Sequence, residues 1–522
     1  MRKNKDKGMV LAILAHRPFR IMSEIEIKFV SRESTLSPFL ENVVPALESV
    51  GFTVQSEPEI RLQNDYFDTP EHHFQQRKMG FRVRGCNEQY EQTVKTRGKV
   101  SGGLHQRAEY NVDLQSAEPD LRLFPSDIWP DNWQVEQVNT ALQRQFSTHF
   151  SRVAFNVTRG EAQVEVVLDE GEATTGKNSS PIREIELELK QGDITELFAI
   201  ANVLIEHMTV RLSDVSKAAQ GYQLINGLSP VVVPMEAYLP LTEDMTTEQA
   251  FCSAVQYALS HWQKHEHQFY ETGSIKVLPE IVNSARLLMQ TVSLYLPVLQ
   301  CPQMLKVHQV LMQYMQRWLW QDDLQCLRYL LSKKSVFYKC LSRYPALASY
   351  LQGRKAGLIH AHAPDDLLCS AQTNKLKILL TEVVTTKPWR EHSKAYDIPV
   401  MEHAKGWLSQ GWQTVQQTMP SARGMAPENY IAIEVLLRQT LWNGFLLAKL
   451  FDDERLHFRA PWLDLLTGIE ELKALMMLRG VAQEAELDDI SDIFAWIDEK
   501  ISRLMRVMEL TRNAGMQGDV YW

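Results

Sequence analysis

The feature that most constrains this chain is a set of short segments in which charge and apolar character alternate. In Ser23-Glu24-Ile25-Glu26-Ile27-Lys28-Phe29-Val30, Ile25, Ile27 and Phe29 fall on one side of an extended strand. Glu24, Glu26 and Lys28 fall on the other. One such strand is an ordinary half-buried strand with a wet face. The pattern recurs, however, with Arg82 beside Arg84, with Glu91, Thr93 and Lys95, with Arg107, Glu109 and Asn111, and with Glu184, Glu186 and Glu188. Five charged faces carrying both signs predict a sheet closed on itself around a polar lumen. Charges that point inward must be paired, hydrated or bound to ligand.

The chain has 522 residues, too many for one core, so two domains are expected. A net charge of −9 argues against a general nucleic-acid binder. No run approaches the ~18 consecutive apolar residues of a membrane span. Six scattered cysteines without a CxxC pair suit reduced thiols in a cytoplasmic protein better than a disulfide framework or a zinc site. Residues 1–21 begin basic and continue into Met9-Val10-Leu11-Ala12-Ile13-Leu14-Ala15, followed by His16-Arg17-Pro18 in place of a small-residue cleavage site. They read as an upstream start or a disordered tail, with Met22 directly before the first strand.

In chain order, a helix is predicted over 34–51, then a strand from Arg61 into the turn Asp68-Thr69-Pro70. Strands follow at about 81–86, 89–96 and 105–114, then a polar insertion with short helices over 115–150. Further strands are expected at about 152–158, 163–169 and 182–190, then helices over 194–207 and from Ser216. Residues 226–246, with Pro230, Pro234 and Pro240, read as a linker. Beyond it strand signatures vanish, and ten of the twelve tryptophans lie there. Pro279, Pro302, Pro345, Pro388, Pro420 and Pro461 punctuate the helices. The expected fold is α+β: a closed eight-stranded antiparallel β tunnel over 22–225, then an all-α helical bundle domain over 247–515 and a tail over 516–522.

The lumen's acids, Glu24, Glu26, Glu186 and Glu188 with Glu184, Glu91, Glu109 and Asp169 in reserve, offer hard oxygen ligands for Mg2+ or Mn2+. The bases Lys28, Arg61, Arg82, Arg84, Lys95, Arg107, Arg152 and Lys217 suit a polyanion, arginine as a fork and lysine as a mobile point charge. There is no Walker A loop, no strand-GxGxxG-helix and no GxSxG elbow. The chemistry left is metal-assisted attack of water on a terminal phosphoryl group of a linear polyphosphate or nucleoside triphosphate.

Glu24-x-Glu26-x-Lys28 resembles the ExExK signature of the CYTH superfamily, the triphosphate tunnel metalloenzymes. Supporting matches follow in family order: Leu62-x-Asn64-x-Tyr66-Phe67-Asp68-Thr69-Pro70, Arg82-x-Arg84, Thr93-x-Lys95, Arg107-x-Glu109-Tyr110, Arg152, Leu168-Asp169-x-Gly171, Glu186-x-Glu188, and Ser216-Lys217 with Gly221-Tyr222. The whole layout resembles bacterial CYTH–CHAD inorganic triphosphatases. The resemblance implies metal ligands at Glu24, Glu26, Glu186 and Glu188, the last two favoured over Glu184, and phosphate contacts at Lys28, Arg82, Arg84, Lys95, Arg152 and Lys217. It implies hydrolysis of inorganic triphosphate to pyrophosphate and phosphate. Thiamine triphosphatase, adenylate cyclase and a non-catalytic polyphosphate-binding protein are the alternatives. Gln220 stands where many relatives have arginine.

The helical half resembles a divergent CHAD domain, in which Trp262-Gln263-Lys264-His265-Glu266-His267 occupies the histidine helix and Arg286 alone remains of the basic run. A polyphosphate contact through this half is what that resemblance implies. Asp68 is expected to build its turn. Tyr66 and Phe67 are expected to pack, and Asp169 suits a strand cap as well as a ligand. His261 and His265, at i and i+4 without a third ligand, are expected to be structural or solvated.

Overall fold

The computed structural model describes residues 20–87, 89–227, 231–419, 424–451, 455–485 and 491–522, with side chains from Ser23 onward. The expectation for residues 1–21 lies outside these, apart from the backbone of Arg20 and Ile21, as do Pro230 of the linker and the helix break at Pro420. The chain divides into two compact units, residues 1–229 and 230–522.

The first unit is built on eleven strands: β1 (Arg20–Val30), β2 (Thr53–Ser56), β3 (Ile60–Asp68), β4 (Gly80–Cys86), β5 (Gln89–Lys95), β6 (Lys99–Ser101), β7 (Leu104–Leu114), β8 (Gln143–Arg159), β9 (Ala162–Thr174), β10 (Ser179–Gln191) and β11 (Arg211–Leu212). Eight of them close a ring in the order β1, β10, β9, β8, β3, β4, β5, β7 and back to β1, every pairing antiparallel. The expected closed eight-stranded tunnel is therefore present. Closure depends on the length of β1. Its Arg20–Ile27 pairs with β7 on one edge and its Glu26–Val30 with β10 on the other. Where β7 ends, β11 takes its place against Phe29 and Val30. A ring without free edges has no ladder left exposed for another chain to pair with.

Alternation does the sorting. Ile27, Phe29, Val166, Ile185 and Leu187 are buried on the outward face, where the helix Ile194–His207 contacts β9 and β10 and buries Leu197, Ile200, Ala201 and Leu204. The insertion also packs outward. Its Leu121, Phe124, Trp129, Trp133 and Val138 form one apolar cluster with Phe74, Phe81 and Val94. The insertion ends earlier than expected, because β8 begins at Gln143 and not near 152. Phe146, Thr148 and Phe150 pair against Tyr66, Asn64 and Leu62 of β3, so tertiary pairing extends the strand through polar residues of weak strand preference.

The helix Lys217–Asn226 starts at Ser216, whose Oγ accepts from the Ala219 N–H. It rests on β8 through Gly221, where a Cβ would lie 2.0 Å from the Phe146 ring. Tyr222 packs edge-on against Phe146. Asp68, fully buried, accepts from the N–H groups of Thr69, Phe74 and Gln75 and from the Tyr222 hydroxyl at 2.8–3.0 Å. It thus builds its turn and also ties the helix to β3. Gln220 donates to Ser180 Oγ and the Pro181 carbonyl, joining the same helix to the start of β10.

The second unit is helical. Its first long helix, Thr247–Thr272, opens with a reciprocal cap between Thr246 and Gln249 and closes on Gly273 at φ +62°. Residues 231–245 carry no helix or strand, yet Leu239 and Leu241 are buried in the helical core. Pro279, Pro302 and Pro345 stand in first turns, where a missing N–H costs little. Pro461 instead lies inside the helix Arg455–Glu484 and does not end it, since Trp462, Leu465 and Leu466 pack into the core just beyond it. The segment Pro427–Leu450 is long and apolar enough to cross a membrane by composition, and its Tyr430, Ile433, Leu437 and Phe445 are buried in the unit's core.

Candidate active site

The ring gathers the charged strand faces into one lumen. On the β1/β10 wall, Glu26 lies opposite Glu188 and Lys28 opposite Glu186. Glu24 accepts from Lys95 Nζ at 2.6 Å and Arg107 Nε at 2.9 Å, and Glu26 accepts from the other arm of Arg107 at 2.9 Å. Burial alone would raise the Glu24 carboxyl, but Lys95 and Arg107 outweigh it and hold the group well below the usual range. Glu26 goes the other way. Burial, then repulsion from Glu186 and Glu24, pushes its carboxyl up to about 7. Burial also raises Glu188, which bonds Lys190 at 2.8 Å.

Deeper on β9 and β10, carboxylate oxygens of Asp169, Glu184 and Glu186 lie within 4.8 Å of one another. Two lysines reach this trio. Lys217 Nζ stands 2.8, 2.5 and 2.9 Å from Asp169, Glu184 and Glu186. Lys28 Nζ stands 2.6 Å from Glu184 and 3.6 Å from Glu186. Arg152 donates two arms to Asp169 at 2.7 and 2.6 Å and approaches Glu186 at 3.4 Å.

Across the lumen, β4 supplies Arg82 and Arg84. Arg84 Nε donates to Asn64 Oδ1 at 2.9 Å, and Asn64 donates in turn to Thr148. Burial, then repulsion from Arg82 and Arg152, pulls the Arg84 guanidinium down to about 9. Arg82 lies 3.9 Å from Glu109, and its buried Nε has no hydrogen-bond partner among the described residues. Arg82 and Arg152 thus press on Arg84, while Arg152 itself is held by the carboxylates of Asp169 and Glu186.

The sequence-predicted residues Glu24, Glu26, Lys28, Arg82, Arg84, Lys95, Arg107, Arg152, Glu186, Glu188 and Lys217 all belong to this network. Arg61 does not. It lies one residue out of phase with Leu62 and Asn64 and is exposed on the outer side of β3. Glu184 is drawn in by both Lys28 and Lys217. Sequence reasoning missed Glu165, Lys190 and His105. Lys190 bridges Glu188 and Glu165, and both could have been found by continuing the alternation of β9 and β10. His105 continues the Arg107 face, is 2% exposed, and is held neutral (pulled down to about 3) by burial beside Arg107 and Lys28. In the helical unit His261 contacts Glu280 at 2.9 Å and His265 the His261 carbonyl, and neither joins a metal-type cluster among the described residues.

Compared with known proteins, residues 22–222 match the CYTH domain family. The chain is 34% identical over 205 residues to the inorganic triphosphatase of Haemophilus influenzae, covering 39% of this chain and 55% of that protein, so it spans about half of that relative's length. Similar solved structures include a Hippeastrum protein named for adenylyl cyclase and described by a dominant triphosphatase activity (18% identity, TM-score 0.28, 38% of this chain and 95% of that one). They also include the CHAD domain of Ricinus communis (13% identity, TM-score 0.39, 55% of this chain and 98% of that one). The ring and the ExExK strand lie within residues 22–222, the stretch that matches the CYTH domain family.

Proposed function

We propose that the tunnel hydrolyses inorganic triphosphate to pyrophosphate and phosphate with a divalent metal, in the cytoplasm, where six free thiols are at home. The observation that carries this reading is the split lumen, with Arg84 pressed by burial and by Arg82 and Arg152 across from a wall where burial, then Glu186 and Glu24, holds Glu26 up at about 7. A linear polyphosphate satisfies the first side and a cation the second.

The donor set fits Mg2+ or Mn2+. The surplus groups are carboxylates, with no sulfur among them, and burial, then Glu186 and Glu24, destabilises Glu26 as an anion despite its bond from Arg107. Glu24, Glu26, Glu186 and Glu188 would hold the ion. When bound, it supplies neutralisation of phosphate oxygens and a more acidic water. The chain's own groups do the rest. Arg152, fixed as a fork by Asp169, and Arg84, aimed by Asn64, align the phosphate chain for in-line attack. Arg82, Lys95 and Arg107 add charge along it. Lys217 and Lys28 keep Glu186 ionised and hold the deep acids in place. A lumen carboxylate that does not hold the ion takes the proton of the attacking water. Assaying purified protein against tripolyphosphate, ATP and thiamine triphosphate, each with and without Mg2+ or Mn2+, tests this. Preferential metal-dependent turnover of tripolyphosphate is expected, and preference for either organic triphosphate would overturn the substrate assignment.

A further inference from the structure

The helical unit contains a cavity of about 420 Å³ between the helices Leu278–Tyr295, Trp320–Leu330, Pro427–Leu447 and Arg455–Glu484. Much of its lining is a run of alternating charge. Arg286 bonds Asp322 at 2.6 Å, and Lys473 lies 4.0 Å from Asp322 and 2.8 Å from Glu434. Arg438 continues the run, 2.7 Å from Glu434 and 3.3 Å from Glu470. Three cations meet three acids, so this wall neutralises itself and asks for no counter-ion.

Three lining groups are left over among the described residues. Arg328 is partly buried and donates only to the neutral Gln325 Oε1, and burial lowers its guanidinium. Glu471 has no ion-pair partner. Gln321 lies in the lining at 1% exposure with neither amide atom hydrogen-bonded. A buried carboxamide with both its donor and its acceptor unmet is costly and asks for a partner offering the complementary pair. Gln321, Gln325 and Arg328 recur at i, i+4 and i+7, which places them on one helix stripe about 10 Å long.

We propose that this cavity binds a small zwitterion of the α-amino-acid class bearing a carboxamide, its carboxylate on Arg328, its ammonium on Glu471 and its amide on Gln321. The leftover charges are one of each sign, so the ligand carries one of each. The whole lining has four cations (Arg286, Arg328, Arg438, Lys473) against four acids (Asp322, Glu434, Glu470, Glu471), which gives a polyanion no net attraction. This site is independent of the tunnel's chemistry.

The test is titration calorimetry on the full chain with L-glutamine as probe, and with glutarate and tripolyphosphate as comparisons. Saturable L-glutamine binding is expected, weakened about tenfold or more by Arg328→Gln and by Glu471→Gln, with glutarate far weaker. Both substitutions are at partly exposed positions, and unchanged thermal unfolding checks the fold. Triphosphate hydrolysis should be unaltered in both variants. No saturable heat up to about 10 mM L-glutamine would overturn the proposal. So would binding indifferent to both substitutions, or tripolyphosphate binding that Arg328→Gln removes.

Discussion

In the helical unit Lys377 Nζ lies 2.9 and 3.0 Å from the two oxygens of Glu266, both residues at 0% exposure. In the tunnel Arg84 has a neutral amide for its acceptor and two guanidiniums pressing on it, while burial, then Glu186 and Glu24, pushes the Glu26 carboxyl up to about 7. Both interiors bury charge, yet they do so under different conditions. The helical pair is matched donor to acceptor, and its removal leaves a hole in the structure. The tunnel is matched only in aggregate. On the proposed function, its unbalanced spots are the places where a ligand and a cation would lower the free energy, which is how a binding site differs from a structural ion pair.

Four measurements sharpen that contrast. Lys377→Met, which strands the Glu266 carboxylate, should destabilise the protein by about 3–5 kcal/mol in denaturant unfolding and leave kcat for tripolyphosphate unchanged below the transition. A stable variant would show that the pair is dispensable. Glu26→Gln should reverse the pattern. It should keep the fold by circular dichroism and lose about 10²–10³ in kcat, a size comparable to removing one preorganised charge-stabilising group. Undiminished turnover would remove Glu26 from the mechanism. Arg84→Gln should raise KM for tripolyphosphate roughly tenfold to a hundredfold, the worth of one charge-assisted hydrogen bond of about 1.5–3 kcal/mol. Its ligand-free Tm should not fall, because a guanidinium pulled down by burial and like charges costs stability at neutral pH.

The smallest effect is in pH. The Glu26 carboxyl is raised from 4.5 to about 7, so its favourable contribution is fully present below about pH 4.5 and is lost as pH rises through about 7. Metal-free protein should therefore lose stability over that window. The Tm gain on adding Mn2+ should grow from pH 6 to pH 8 by about 2–5 °C, since the cation must displace that proton. A gain that is flat in pH would detach Glu26 from the cation.

The eight-stranded ring was legible because charge and apolar residues alternate with period two in most of its strands, and because closure is what a charged inner face demands. The early half of β8 was not legible. Gln143, Arg144, Gln145 and Ser147 carry little strand preference, and pairing with β3 draws this stretch into the strand. Glu24, Glu26, Arg82 and Arg84 could be read from alternation, whereas Lys217 enters from a helix, outside the strand alternation. Arg61 misled because charge was counted without phase. Pro461 misled because local breaking power was weighed without the core that holds the helix on its far side. Gln321, Arg328 and Glu471 carry no motif, and only folding shows which charges are already paired.

The most direct test of the split lumen as a triphosphatase site is phosphorus NMR of tripolyphosphate incubated with the full chain and Mg2+ or Mn2+. The expected result is pyrophosphate and phosphate appearing in equal amounts, stopped by a chelator and by Glu26→Gln. Tripolyphosphate that binds and stays intact under every metal condition would contradict it and make the tunnel a receptor.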